Sequence, residues 1–196
     1  GTVTRDIDMT GSSIVVTVQG SFYTVNLSGS NITLDMTGTT FTFGAPTDIY
    51  ENNMGAFAFN DIVLTPSSKR PHKFSGNFSF ANMSMASAGA LTVTFAGGSS
   101  VTMTGDTCLS GTDGAPITIT SSDTSQFTLS KSSEGYVSSD WLVIDYCTVD
   151  SADKWYAGAN SINGGHNGTP TWTFSVPPVG TALAVIAQYY RRLRGG

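Results

Sequence analysis

The sequence predicts an all-β fold, and three observations support that prediction. Apolar and hydroxylated residues alternate with a period of two, as in residues 91–95 (LTVTF), which is the pattern of a strand with one buried face. The alternating segments are short and are separated by glycines among Asn, Ser and Asp, which indicates many tight turns. Ser and Thr together number 52, and Thr, Val, Ile, Phe and Tyr replace the residues that usually fill helices. A mainly helical protein is excluded.

The predicted strands follow one another along most of the chain. The clearest alternating segments are residues 14–18 (IVVTV), 32–36 (ITLDM), 41–43 (FTF), 91–95, 117–119 (ITI) and 127–129 (FTL). The glycines that punctuate them are Gly11, Gly20, Gly29, Gly38, Gly44, Gly105, Gly111 and Gly135.

The spacing of the later strands predicts a solenoid. Val93, Thr118 and Val143 occupy matching places in their strands and lie about 25 residues apart, within the repeat range of solenoids. A coil of that length fits a parallel β-helix, in which residues 117–119, 127–129 and 136–137 form one coil and residues 142–144 open the next. The chain before residue 90 repeats less regularly, so a solenoid and a sandwich both remain open there.

Four segments make up the predicted organisation. Residues 1–65 form an N-terminal β-rich segment, and residues 66–73 (PSSKRPHK) form an exposed basic loop. Residues 74–176 form the β-helix module, and residues 177–196 form a basic C-terminal tail. Pro177 and Pro178 end the preceding sheet, and the mixed tail that follows favours a final strand over a helix.

Charge is distributed unevenly and restricts the partners. The net charge is −5, but residues 1–180 carry −8, from 14 acidic and six basic residues, and the three remaining arginines lie in the tail. Nucleic acid is therefore not an expected partner, whereas the tail is either solvated or docked on an acidic protein surface. The residues that we assign to assembly are Leu183, Val185, Tyr189, Tyr190, Arg191, Arg192 and Arg194.

Two further features concern the cellular setting. Cys108 and Cys147 are too few for a disulfide framework and wrongly placed for a metal knuckle, so we expect both to stay reduced. No segment reaches the roughly 20 apolar residues of a membrane span, and no export signal precedes the first strand. These patterns predict a protein that is assembled inside a cell without membrane insertion.

The titratable residues do not form a recognisable catalytic group, so we expect no enzyme, no cofactor and no metal site. His72 is expected to be solvated in the basic loop, and His166 is expected to be a turn residue. Asp140 and Asp145 are separated by an odd number of positions in the sequence, so on a continuous strand they would point to opposite faces. The next two acidic residues, Asp150 and Asp153, belong to the following turn.

Aromatic residues concentrate in the last third of the chain. The tryptophans are accompanied there by Tyr136, Tyr146 and Tyr156. Exposed on one face they would form a sugar-binding platform, and buried they would close the end of a solenoid. The second interpretation is favoured, for a cap or glycan-contact set that consists of Trp141, Trp155, Tyr156, Asn160 and Trp172.

A signature in this region resembles a known module. Residues 155–161 (WYAGANS) are followed by a Gly/Asn loop at 163–168 and by 172–174 (WTF), and residues 111–114 (GTDG) lie upstream. From about residue 92 to 175 the chain resembles a right-handed β-helix module of phage and bacterial surface proteins. The resemblance implies appendage or spike material rather than one enzyme. Thr169 and Pro170 are additional to the pattern.

These observations lead to one functional prediction and one alternative. The chain is predicted to be a phage-type virion structural protein, a spike, head-decoration or tail-fibre subunit that acts by assembly and adhesion. The expected partners are two further copies of the chain, other virion proteins of the capsid or tail, and surface glycans. The expected location is the virion, assembled in the host cytoplasm, or alternatively the bacterial cell surface. The competing prediction is a β-helix protein that binds or degrades polysaccharide.

Overall fold

The computed structural model describes residues 5–8, 10–11, 13–16, 32–46, 51–67 and 70–178. These residues form an all-β structure without helix, a β-solenoid of about 6 turns. The strands are β1 (Arg5–Asp8), β2 (Ser13–Val16), β3 (Ile32–Asp35), β4 (Thr40–Phe43), β5 (Glu51–Asn53), β6 (Ala58–Leu64), β7 (His72–Ser75), β8 (Ser79–Met85), β9 (Leu91–Phe95), β10 (Ser100–Met103), β11 (Ile117–Ser121), β12 (Phe127–Lys131), β13 (Val137–Ser138), β14 (Leu142–Ile144), β15 (Cys147–Val149), β16 (Trp155–Tyr156) and β17 (Ile162–Asn163).

Two parallel sheets form the walls of the solenoid. The seven-stranded sheet has the order β15-β12-β10-β8-β6-β4-β2, and the six-stranded sheet has the order β17-β14-β11-β9-β7-β5. From β4 to β12 the chain alternates between the two sheets, so each coil adds one strand to each wall. Two smaller parallel pairs, β1 with β3 and β13 with β16, complete the described strands.

The same two sheets continue into the N-terminal half of the chain. Strands β2, β4, β6 and β8 lie side by side in the larger sheet, and β5 and β7 lie in the smaller one. All of these pairs are parallel, whereas the strands of a sandwich are antiparallel. The sandwich alternative for this half is therefore wrong, and the solenoid extends through it.

Alternation of side chains divides the core from the surface. β11 and β12 both place every second residue inside, beginning with Ile117 and Phe127. Phenylalanine rings follow one another along the interior, with centroids 5.3 Å apart for Phe43 and Phe74, 6.0 Å for Phe74 and Phe95, and 4.9 Å for Phe95 and Phe127. One continuous apolar core results.

The predicted alignment of Val93, Thr118 and Val143 in neighbouring strands is correct for Thr118 and Val143 only. Thr118 pairs with Val143, as expected, but the partner of Thr118 in β9 is Thr92 rather than Val93. Because one residue of slip exchanges the two faces of a strand, Val93 is fully buried while Thr118 lies on the outer side.

His72 is not solvated, and that prediction is wrong. It opens β7, is only 3% exposed and shares the inward register position of Val93. Its Nε2–H donates to the Thr65 carbonyl oxygen at 2.8 Å. Burial lowers the pKa of His72, although that hydrogen bond acts in the opposite direction. The described residues that precede it in the loop, up to Pro71, are half-buried or exposed.

Residues 179–196 lie outside the described residues. They include the whole set assigned to assembly, namely Leu183, Val185, Tyr189, Tyr190, Arg191, Arg192 and Arg194. Within the described ranges, no helix has the length and apolar character needed to cross a membrane.

Candidate functional site

The C-terminal end of the solenoid contains two of the predicted tryptophans in its interior. Trp155 in β16 is fully buried and Trp172 is 2% exposed, with their ring centroids 5.0 Å apart. The Trp155 indole N–H donates to Asp150 Oδ1 at 2.7 Å. Both side chains are therefore inaccessible to a ligand in solution, which supports a packing role over a sugar platform for these two residues.

The segment after the Gly/Asn loop covers the outer edge of the last coil. β15 is the terminal strand of the seven-stranded sheet, and its exposed edge would otherwise present unpaired backbone groups. Four backbone hydrogen bonds pair it and β16 with the following segment: Gly168 N to Cys147 O, Val149 N to Pro170 O, Thr173 N to Trp155 O and Ala157 N to Thr173 O. Pro170, which departs from the module's pattern, thus supplies one of the acceptors.

Asp140 joins the turn before β14 to the coil that follows. Its Oδ1 accepts the backbone N–H groups of Trp141 at 2.9 Å and of Asn160 at 3.0 Å. Its Oδ2 accepts the Asn160 side-chain amide at 2.7 Å. Trp141 adopts a left-handed conformation (φ 55°) and is half-buried. Asn160, predicted as a cap or glycan contact, therefore binds a carboxylate of its own chain.

Asp145 repeats this arrangement on the other side of β14. Its Oδ1 accepts the backbone N–H groups of Tyr146 and His166, both at 3.0 Å, and Tyr146 is left-handed (φ 54°). The His166 Nδ1 lies 3.1 Å from each carboxylate oxygen. The imidazole ring stacks on Tyr146 with centroids 4.7 Å apart and planes 4° apart.

Hydrogen bonding lowers the pKa of both carboxyls. Burial raises the pKa of Asp140, but the Asn160 side chain and the Trp141 and Asn160 N–H groups outweigh it, so the pKa is lowered. Burial likewise raises the pKa of Asp145, and the bonds from His166 and Tyr146 together with the His166 charge reverse that rise. Both groups are negative acceptors at neutral pH.

Asp140 and Asp145 do not share one continuous strand, because they lie in the turns that flank β14. The sequence does contain a signal for their role. Each Asp is followed directly by an aromatic residue, and each partner lies in a Gly-x-Asn or Gly-x-His segment of the next coil, at residues 158–160 and 164–166. Repetition of that pair of patterns predicts two equivalent turn anchors. Asp150, expected in the following turn, does lie there.

Tyr136 is the most exposed of the described aromatic side chains at this end. Tyr136 is 46% exposed and makes an edge-to-face contact with Tyr156, with centroids 5.6 Å apart. Tyr156, predicted in the cap set, is only 8% exposed. Tyr136 was not in that set, because its exposure depends on the position of β13 beside β16.

Lys131 was not predicted as a functional or structural residue. Its side chain is fully buried and occupies the inward register position of Met103 in the neighbouring strand. The ammonium donates to Asp106 Oδ1 at 2.6 Å, to Gly105 O at 2.8 Å and to Ser133 Oγ. The charge is therefore satisfied by the turns that follow β10 and β12.

The two cysteines are free thiols. Burial raises the pKa of Cys108 to about 11, against a weaker opposing hydrogen bond from the Leu109 backbone. Burial also raises the pKa of Cys147 to about 12, although the nearby Trp172 side chain opposes that rise. Neither is a nucleophilic thiolate at neutral pH. Among the described residues, no three His, Cys, Asp or Glu side chains are arranged to hold a metal ion.

Comparison with protein-family models, with curated proteins and with solved structures finds no match for this chain. The similarity of residues 92–175 to the β-helix module therefore stays a prediction from the signature residues.

Proposed function

We propose that the chain is a phage-type virion structural protein, a spike, head-decoration or tail-fibre subunit that acts by assembly and adhesion. The observation that carries the proposal is the continuous parallel solenoid with a closed C-terminal end. Its proposed location is the virion after assembly in the host cytoplasm, with the bacterial cell surface as the alternative. Capsid or tail proteins are the proposed partners.

The solenoid has the mechanical properties that such a role requires. Hydrogen bonds between parallel strands run from coil to coil in both walls, and the phenylalanine core fills the space between them. A pull along the axis is therefore resisted by many backbone bonds at once. A short solenoid gains further stability when it packs against other copies of the chain.

The outer surface of the larger sheet is suited to close contact with neighbouring proteins. Ser79, Thr102 and Ser130 follow one another on that surface. Hydroxyl groups can be buried in an interface at lower cost than charged groups, and charged residues are depleted at interface centres. This surface favours a homotrimer in which solenoids pack side by side.

The native mass tests this proposal. Light scattering at micromolar concentration is expected to give three times the 20.5 kDa chain mass. A monomer would contradict the proposed assembly. The double variant Tyr189→Ser and Tyr190→Ser tests the predicted role of the tail, and it should lose the trimer while its far-ultraviolet circular dichroism stays unchanged.

A polysaccharide-degrading protein is the second candidate, and one observation favours it. The Asp145 carboxylate holds Nδ1 of His166, whose side chain is 61% exposed. A carboxylate in this position orients an imidazole as a general base. Incubation with bacterial surface polysaccharides should then release reducing or unsaturated ends, and His166→Gln should abolish the release. Release that depends on His166 would contradict a purely structural role.

A further inference from the structure

A cleft of about 310 Å³ opens on the outer side of the six-stranded sheet. Two strands contribute Thr92 and Thr118, and the loop before β7 contributes Ser67, Arg70 and Pro71. Pro116, directly before β11, completes the principal lining. The volume lies at the lower limit of small-molecule sites, about 300 Å³, which suits a single sugar unit rather than a long segment.

Arg70 gives the cleft a positive charge that no acidic residue in the described part of the chain neutralises. The side chain is exposed and makes no ion pair with the acidic residues in the described part of the chain. The backbone that carries this side chain is anchored, because the Arg70 N–H donates to Ser67 Oγ at 3.3 Å and Ser67 Oγ donates to Pro46 O at 3.4 Å. A guanidinium group pairs with a carboxylate through two parallel hydrogen bonds.

The threonines add a pair of neutral hydrogen-bonding groups. Thr92 and Thr118 are register partners in adjacent parallel strands, so their side chains stand about 4.8 Å apart on the same face. Each hydroxyl both donates and accepts, which matches the hydroxyl groups of a sugar ring. Pro71 and Pro116 supply apolar surface for the carbon face of such a ring.

We propose that this cleft binds a carboxylate-bearing pyranose, such as a uronic acid unit of an acidic polysaccharide. The carboxylate pairs with Arg70, and the ring hydroxyls bond to Thr92 and Thr118. A single guanidinium balances one negative charge, which fits a carboxylate better than a phosphate dianion. The inference rests on the proposed adhesive function and gives that adhesion a site and a ligand class.

Ligand-observed NMR on the full chain tests the cleft with three probes. Methyl β-D-glucuronide contains the ring and the carboxylate, methyl β-D-glucoside lacks the carboxylate, and acetate lacks the ring. We expect saturable binding of the glucuronide, at least about tenfold tighter than that of either comparator. Equal binding of the glucoside or of acetate would overturn the proposal, as would the absence of glucuronide binding up to about 10 mM.

Variants locate the binding. Arg70→Gln should weaken glucuronide binding by about ten- to hundredfold, and Thr118→Val by about two- to tenfold. Lys73→Gln is the matched control. Lys73 faces outward on β7 and does not line the cleft, so the substitution removes one positive charge outside the proposed site. If Lys73→Gln weakens binding as much as Arg70→Gln, long-range charge explains the binding and the site is wrong. A trimer that does not bind glucuronide would refute this inference alone and leave the proposed assembly intact.

Discussion

Asp140 and Asp145 each anchor two parts of the chain with one carboxylate. Their lowered pKa values mean that the folded protein favours the charged form of both groups. Stability from a lowered carboxyl pKa is complete above the unfolded value, about 3.9, and is lost as the pH falls through the lower folded value. Acid should therefore release the Asn160 and His166 turns.

Asp145→Asn tests this coupling. The amide oxygen of Asn still accepts the N–H groups of Tyr146 and His166, but the variant has no carboxyl to protonate. We expect its unfolding midpoint to fall less than that of the unchanged protein between about pH 5 and pH 3. Thermal melts at several pH values measure the difference. Parallel curves for the two proteins would show that Asp145 does not contribute to acid sensitivity.

Gly158 has a conformation and a neighbour that both require glycine. Its φ is +78°, and a Cβ atom there would lie 2.4 Å from Asp140 Oδ1. Gly158→Ala should cost roughly 2–4 kcal/mol, the sum of backbone strain and displacement of the anchor. Gly98→Ala is the matched control, because Gly98 has φ +75° with no atom within 4 Å of its Cβ position. In chemical denaturation the control should lose only about 1 kcal/mol, and equal losses would argue against the steric role of Asp140.

Cys108 and Cys147 should remain reduced and should contribute no crosslink. Their thiol pKa values of about 11 and about 12 leave almost no thiolate for oxidation at neutral pH. The thermal midpoint is expected to be the same with and without reductant. A decrease of more than a few degrees on addition of reductant would demonstrate a disulfide and refute this expectation.

Strand β12 ends on a charged residue in an apolar column, where Lys131 pairs with Met103 of β10. Lys131→Met should therefore stay within about 1 kcal/mol of the unchanged protein, since a hydrophobic replacement removes the cost of burying the charge. Asp106→Ala leaves the ammonium without its carboxylate, and it should cost more, about 1–3 kcal/mol, limited by the exposure of Asp106. Urea unfolding of both variants tests this order, and the reverse order would contradict it.

Local patterns predict the strands well and their exceptions poorly. Period-two alternation gives β9, β11 and β12 close to their observed bounds, because each has one face in the core. It does not predict that His72 and Lys131 point inward. Their polar atoms are satisfied by groups distant in sequence, the Thr65 carbonyl and the Asp106 carboxylate, which a local pattern does not contain.

The N-terminal coils and the Asp anchors escaped prediction for a related reason. Coil length changes along the molecule: Phe41, Ile62 and Met83 pair in succession at intervals of 21 residues, whereas Val101 pairs with Leu129, 28 residues later. The spacing of about 25 residues between the later strands therefore does not match the shorter N-terminal coils, although the turns absorb the difference and the walls stay in register. The signature at residues 155–161 contains Trp155, which the structure places in the interior, but it does not reveal that the Asn160 side chain donates to Asp140.

The molecule as a whole depends on closing the last coil. Trp155 and Trp172 end the interior that begins with the phenylalanines, and the segment around Pro170 pairs the last sheet edge. Because the core is continuous, loss of the closing side chains should destabilise the coils beneath them as well. Trp155 and Trp172 are therefore structural groups, and we assign the proposed adhesion to the outer surfaces.

Equilibrium unfolding in denaturant of Trp155→Ala and Trp172→Ala tests that claim most directly. Each truncation removes a buried indole and should lower the free energy of unfolding by roughly 3–5 kcal/mol. Tyr136→Ala is the control, since that side chain is 46% exposed and its loss should change stability by less than about 0.5 kcal/mol. We expect lower midpoints for both tryptophan variants and an unchanged midpoint for the control. Unchanged midpoints for the tryptophan variants, together with loss of glycan binding, would contradict it.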